Sequence, residues 1–277
     1  MKMPSLKRTL TAVALIVFAI LSVVYLWFGL LFVLMLTVGG LYEFFNMMKK
    51  KGIPIYHYTG IAMGAAVTLI TFFNQNHFSE DWNFYFILIG LFITFVLQFI
   101  RANNEKAVIG MATTLFGVLY VAWLSSFLIK IRFMLPGFDG AKLLGFILLV
   151  TKAGDIGALL VGSWIGRNPL LPTVSPNKTV EGALGSIAFS VIASVLGQAL
   201  LPVYFHVTLM QMVILGMALS VLGQFGDMAE SLIKRDCGVK DSGNLLPAMG
   251  GLLDVMDSLL FCAPVFYFYV SMILKSL

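Results

Sequence analysis

Apolar runs of membrane-crossing length recur along this chain, at roughly 11–27, 29–47, 58–74, 83–100, 107–128, 142–165, 182–202, 208–230 and 252–274, each bounded by polar or turn residues. Such runs need lipid as their solvent, and lipid offers no partner to a free backbone N–H or C=O. The spans must therefore satisfy their own hydrogen bonds. The sequence predicts an all-α fold, a polytopic integral membrane helical bundle of about nine transmembrane helices. It reads as a single membrane-embedded domain over 1–277, with no internal repeat, low-complexity tract or soluble domain.

The basic stretch Met1–Arg8 ahead of the first run resembles a signal peptide, but no clean small-residue cleavage site follows. A retained first helix is expected. Cys237 and Cys262 match no metal or redox spacing and receive no role. The formal charge of +5 does not point to nucleic acid, because the basic residues sit at span ends, where they set topology. Lys2, Lys7, Arg8, Lys49 to Lys51, Arg101, Lys106, Arg167, Lys178, Lys234, Arg235 and Lys240 fall on one side; the opposite loops 75–82 and 203–207 carry none. Lys130, Arg132, Lys142 and Lys275 are exceptions. The balance predicts a multi-pass inner-membrane protein with a cytoplasmic N-terminus, an external C-terminus and its polar loops in the cytoplasm.

Charge is scarce in this chain, at 11%, yet residues 227–258 hold five aspartates, one glutamate and three basic residues. Asp254 and Asp257 stand three apart at the start of the last helix, so both carboxylates share a face near the positive end of its dipole. Such a pair suits Mg²⁺, which takes oxygen ligands and leaves positions for substrate phosphates; alternatively the two acids only complement the dipole. Asp227, Glu230 and Ser231 share a face at the end of the preceding helix. If the loop 236–251 folds back, these helix ends meet, and Gly250–Gly251 allows close backbone approach to a ligand. Lys234, Arg235 and Lys240 either anchor a helix among headgroups or, beside the acids, neutralise a polyphosphate. Lys152 and Asp155, inside the sixth run, either pair structurally or serve a site. Asp155 shares a face with Ala158, Gly162 and Gly166, which points it into the bundle. Ser175–Gly182 is a polar connector or, through Lys178 and the following helix N-terminus, an anion site. His57, His77 and His206 are not placed for acid–base work beside the acidic window.

These residues resemble the phosphatidate cytidylyltransferase (CDP-diacylglycerol synthase) family. Its signature, S-x-x-K-R-x4-K-D-x-G/S/A-x2-L-P-x-H-G-G-x2-D-R-x-D, is matched by Ser231, Lys234, Arg235, Lys240, Asp241, Gly243, Pro247, Gly250, Gly251, Asp254 and Asp257 in register. A second element, S-P-x-K-T-x-E-G, appears as Ser175–Gly182. Met249 and Val255 depart from the family's His and Arg, so any proton donation or phosphate contact by those side chains is absent.

The resemblance implies a Mg²⁺-dependent enzyme that converts CTP and phosphatidic acid into CDP-diacylglycerol and pyrophosphate, with its site in the C-terminal part, about 150–277. It implies a catalytic set of Asp227, Asp254, Asp257 and Lys234, with the three aspartates as metal ligands. Lys178, Ser231, Arg235, Lys240, Asp241, Gly250 and Gly251 would bind substrate. A second cation and a homo-oligomer are both compatible with it. The alternatives are a CTP-dependent polyprenol or phytol kinase and, from another class, a transporter working through Lys152 and Asp155.

Overall fold

The computed structural model describes residues 6–74, 81–101, 104–246 and 250–276. In chain order its helices are α1 (Leu6–Val24), α2 (Leu26–Lys50), α3 (His57–Phe73), α4 (Asp81–Ile100), α5 (Ala107–Gly117), α6 (Leu124–Phe133), α7 (Gly137–Ile165), α8 (Val180–Gly197), α9 (Leu209–Asp236) and α10 (Leu253–Ser276). A π-helical turn, Val118–Trp123, carries α5 into α6, so Ala107–Phe133 is one continuous span. The one sheet among the described residues is an antiparallel hairpin, β1 (Pro169–Leu171) and β2 (Ser175–Thr179), just ahead of α8.

Each apolar run in the sequence becomes helix, because a Leu-, Ala- and Met-rich segment without water must close its own hydrogen bonds. Six segments are long and apolar enough to cross a membrane: Leu26–Lys50, Ala107–Phe133, Gly137–Ile165, Val180–Leu200, Leu209–Asp236 and Leu253–Lys275. Three further apolar helices, Thr9–Val24, His57–Phe73 and Tyr85–Ile100, are shorter. The protein is therefore a polytopic helical membrane protein with six helices of crossing length among the described residues, and the expected count of nine is not confirmed.

Packing groups the chain into two compact units. The first comprises Met1–Lys130 and Asp236–Val255; the second comprises Ile131–Arg235 and Met256–Leu277. Within the first, α2 and α3 pack around fully buried Leu41, Phe44, Phe45 and Met47. Gly117 sits against the Phe44 and Phe45 rings, where a Cβ would collide. Thr37 shares hydrogen bonds with Ser125 (2.9 Å) and Thr68 (3.2 Å), so these three hydroxyls satisfy one another.

In the second unit α7 and α8 approach closely along small residues. A Cβ on Gly157 would meet Gly185 O at 2.7 Å, and one on Gly185 would meet Gly157 O at 2.8 Å. Lipid gives helices no hydrophobic reason to associate, so this backbone proximity, with Ser–backbone hydrogen bonds, supplies the attraction. Ser190 donates to Val150 O at 3.2 Å, Ser194 to Met212 O at 2.8 Å, and Cys262 of α10 to Leu219 O of α9 at 3.1 Å. Phe146 of α7 stacks on Phe266 of α10 with centroids 5.4 Å apart.

Candidate functional site

Three carboxylates converge in the second unit. Oxygens of Asp227 and Glu230, one turn apart in α9, and of Asp257 in α10 all lie within 4.8 Å of one another. The approach depends on Gly226, whose Cα lies so close to α10 that a Cβ would stand 2.4 Å from Asp257 O. Asp257 and Glu230 are buried and Asp227 is partly exposed, so the cluster has one open side. Two lysines answer it. Lys178 of β2 pairs with Asp227 Oδ2 at 2.5 Å, and Lys234 pairs with Glu230 Oε2 at 2.7 Å across one turn of α9. The donor set is all carboxylate oxygen, the chemistry a hard divalent cation takes, so Asp227, Glu230 and Asp257 together could hold a metal ion. Because α9 continues to Asp236, Lys234 is buried in its last turns rather than displayed on a loop.

The Ser175–Gly182 segment is built to deliver Lys178. Thr179 ends β2 and caps α8, its Oγ1 accepting from Gly182 N at 3.1 Å. The Glu181 carboxylate accepts from Arg167 N at 3.0 Å, Asn168 N at 3.2 Å and Asn168 Nδ2 at 2.7 Å, which closes the hairpin's entry onto the helix. Gly182 lies against Ala158 O of α7. Arg235, exposed at the end of α9, donates from Nε to Val174 O at 3.3 Å and ties α9 to the hairpin turn. Ser231 is buried one turn below Arg235.

Lys152 and Asp155 of α7 form an ion pair at 2.8 Å, and both reach Ser258 Oγ of α10, at 3.4 and 3.3 Å. Gly154 and Gly157 hold the α8 side of α7, so Asp155 turns toward α10 and stays about half exposed rather than pointing into the α7–α8 seam. Ser258 N donates to Asp257 Oδ1 at 2.6 Å, which joins this pair to the acid cluster through one residue.

The remaining motif residues belong to the first unit. Asp254 Oδ2 accepts from Ser242 N at 3.1 Å, Ser242 Oγ at 2.9 Å and Gly251 N at 2.8 Å, so it organises the loop that closes onto the start of α10. Asp254 and Asp257 are three apart in one helix yet engage different groups. Lys240 and Asp241 are exposed in the loop. Gly250 has φ +100, a left-handed value that favours glycine, and its carbonyl accepts from Leu246 N at 3.0 Å. Gly251 packs internally, against Ser242 and Glu43. Pro247 and Met249 lie outside the described residues, as does His77. Cys237 is partly buried beside Asp236, and burial and that carboxylate push its thiol above the ordinary range.

Glu43 was not singled out by the sequence pattern, yet it is 2% exposed in α2 and accepts from Ser242 Oγ and Leu253 N. The available signal was a lone acid within an apolar run.

The chain matches the model of the Cytidylyltransferase family over residues 6–273. It is 34% identical to a phosphatidate cytidylyltransferase of Synechocystis, with 86% of each chain covered. A phosphatidate cytidylyltransferase of Bacillus subtilis is 33% identical, covering 96% of this chain and 97% of that one. One from Staphylococcus epidermidis is 31% identical over 93% and 95% respectively.

Proposed function

Because the chain belongs to the Cytidylyltransferase family, we propose that it is a CTP:phosphatidate cytidylyltransferase of the inner membrane, with its site open to the cytoplasm. The observation that carries this reading is the meeting of Asp227, Glu230 and Asp257 with Lys178 and Lys234, which brings oxygen ligands and ammonium groups together in a membrane-helical unit. In the reaction a phosphate oxygen of phosphatidic acid forms a bond to the α-phosphorus of CTP. The bond from that phosphorus to the α–β bridging oxygen breaks, and pyrophosphate leaves with the electron pair. No covalent enzyme intermediate is needed.

Asp227 and Asp257 would hold Mg²⁺, with Glu230 as the adjoining third carboxylate. Bound there, the ion would supply neutralisation of the triphosphate and of the charge that grows on pyrophosphate. Lys178, which rests on Asp227, would move onto a phosphate when one arrives. Lys234 keeps Glu230 neutralised in its buried position and fixes the base of the site. Arg235 at the hairpin turn adds an exposed cation for the triphosphate, and the family motif, rather than geometry, assigns Lys240 to substrate binding. Asp254 shapes the loop that presents Lys240 and Asp241.

The test is product analysis with detergent-purified protein, phosphatidic acid, and CTP labelled either on cytosine or at the γ-phosphate. Cytosine label in the lipid and γ-label in pyrophosphate are expected, with turnover abolished by EDTA and restored by Mg²⁺. Transfer of γ-label to lipid identifies a CTP-dependent lipid kinase and overturns the reading, as does absence of any labelled lipid beside an active control enzyme.

A further inference from the structure

We infer that Glu43 is a positioning residue for this reaction, holding the loop that leads into α10 through one buried carboxylate oxygen; the inference rests on the proposed cytidylyltransferase activity. Glu43 sits in α2, far from the motif in sequence, and is 2% exposed. Its Oε2 accepts from Ser242 Oγ at 3.1 Å and from Leu253 N at 2.9 Å, so one atom grips both ends of the segment from Ser242 to the first residue of α10. The Leu253 N–H belongs to a helix's first turn and has no partner within that helix, so a carboxylate there satisfies a group that burial makes costly to leave open.

The grip excludes alternatives. A Cβ on Gly243 would stand 2.3 Å from Glu43 Oε1, and one on Gly251 would stand 2.4 Å from Glu43 Oε2 and 1.9 Å from Ser242 Oγ. Both motif glycines are thus spaces cut for the Glu43 carboxylate, a reading that their position beside Lys240 and Asp241 does not suggest. Ser242 Oγ lies within bonding reach of Glu43 Oε2 and Asp254 Oδ2, and a hydroxyl has only one hydrogen to divide between them. The Ser242 and Gly251 N–H groups, both donating to Asp254, make up the difference. Glu43, Ser242 and Asp254 therefore form one network in which Glu43 supplies the anchor on a membrane helix and Asp254 orders the backbone. Among the described residues Glu43 Oε1 is buried without a hydrogen-bond partner. Its second oxygen is what the fold uses.

Because both accepted bonds go to a single oxygen, Glu43→Gln can retain them through its amide carbonyl, whereas Glu43→Met keeps the volume and removes the acceptor. With the loop released, CTP must order it on binding, so Glu43→Met is expected to lower kcat/KM for CTP about 10- to 100-fold while the KM for phosphatidic acid stays constant. Glu43→Gln should restore kcat/KM to within about fivefold of the parent. Hydrogen exchange on the purified proteins without substrate gives a second readout: faster exchange at Ser242, Gly251 and Leu253 in Glu43→Met and protection in Glu43→Gln. Equal exchange at these amides in the Met variant and the parent overturns the positioning role whatever the activity. Loss of activity in Glu43→Gln equal to that in Glu43→Met overturns it as well. A parent protein that makes no CDP-diacylglycerol while exchange still follows this pattern defeats the cytidylyltransferase reading and leaves the anchor standing.

Discussion

Three aspartates lie in one charged stretch of sequence but meet different surroundings, and their substitutions should differ accordingly. Asp227 and Asp257 join Glu230 in the carboxylate cluster, where removal of one charge takes away an oxygen ligand at the point where phosphate charge must be neutralised. Asp227→Asn and Asp257→Asn are each expected to lower kcat by about 100- to 1000-fold. Asp254 is different. Its Oδ2 already serves Ser242 N, Ser242 Oγ and Gly251 N, and an asparagine carbonyl can accept the same three bonds without their charge assistance. Asp254→Asn should cost about tenfold in turnover. Initial-rate measurements on the three variants, with size-exclusion profiles to show that each stays folded, check the ordering; an Asp254→Asn loss as deep as that of Asp257→Asn would return it to the metal set.

At the level of elements, the site depends on how closely α9 and α10 run. Gly226 precedes Asp227 and faces the backbone of Asp257, and a methyl group there meets a carbonyl oxygen that belongs to a helix and does not yield as a flexible side chain would. Gly226→Ala should therefore part Asp227 from Asp257 and reduce activity by at least about tenfold with every carboxylate still present. A raised Mg²⁺ requirement in the same assay distinguishes lost convergence from general instability. The helices themselves were legible in the sequence, because apolar runs in lipid have little choice but to be helical, and the i, i+3 acids foreshadowed the meeting of α9 and α10, although α9 runs on to Asp236 and carries Asp227 and Glu230 within it rather than at its end. The hairpin was not. Its strands are three and five residues long and contain Pro169 and Pro176, and their pairing is set by Glu181 reaching back to Arg167 and Asn168. Nor was the division of Asp254 from Asp257 legible, since helical spacing says which residues share a face and not which neighbours that face will meet. Glu43 escaped for a related reason: its partners are about 200 residues away, at separations of 199 and 210, where no local periodicity reports.

For the molecule as a whole, the proposed orientation puts the polar loops in the cytoplasm on the strength of the positive residues at one set of span ends, and α8 offers a direct test of it within the second unit. Thr173 lies in the exposed turn of the hairpin just before α8, and Val203, 92% exposed, lies just after its C-terminal end. The eighteen residues of α8 span about 27 Å at 1.5 Å per residue, close to the thickness of a hydrocarbon core, so the proposed orientation puts the two positions at opposite membrane surfaces. Single cysteines at these positions, introduced as Thr173→Cys or Val203→Cys, should then differ in access, in a background where Cys237→Ser removes the one partly exposed native thiol. In intact cells a membrane-impermeant maleimide is expected to label Val203→Cys and leave Thr173→Cys unmodified until the membrane is permeabilised. The reverse pattern would place Lys178, Arg235 and the open side of the acid cluster away from cytoplasmic CTP. A nucleotide-dependent enzyme cannot work from that side, so the labelling result tests the proposed activity through orientation alone, independently of any turnover measurement.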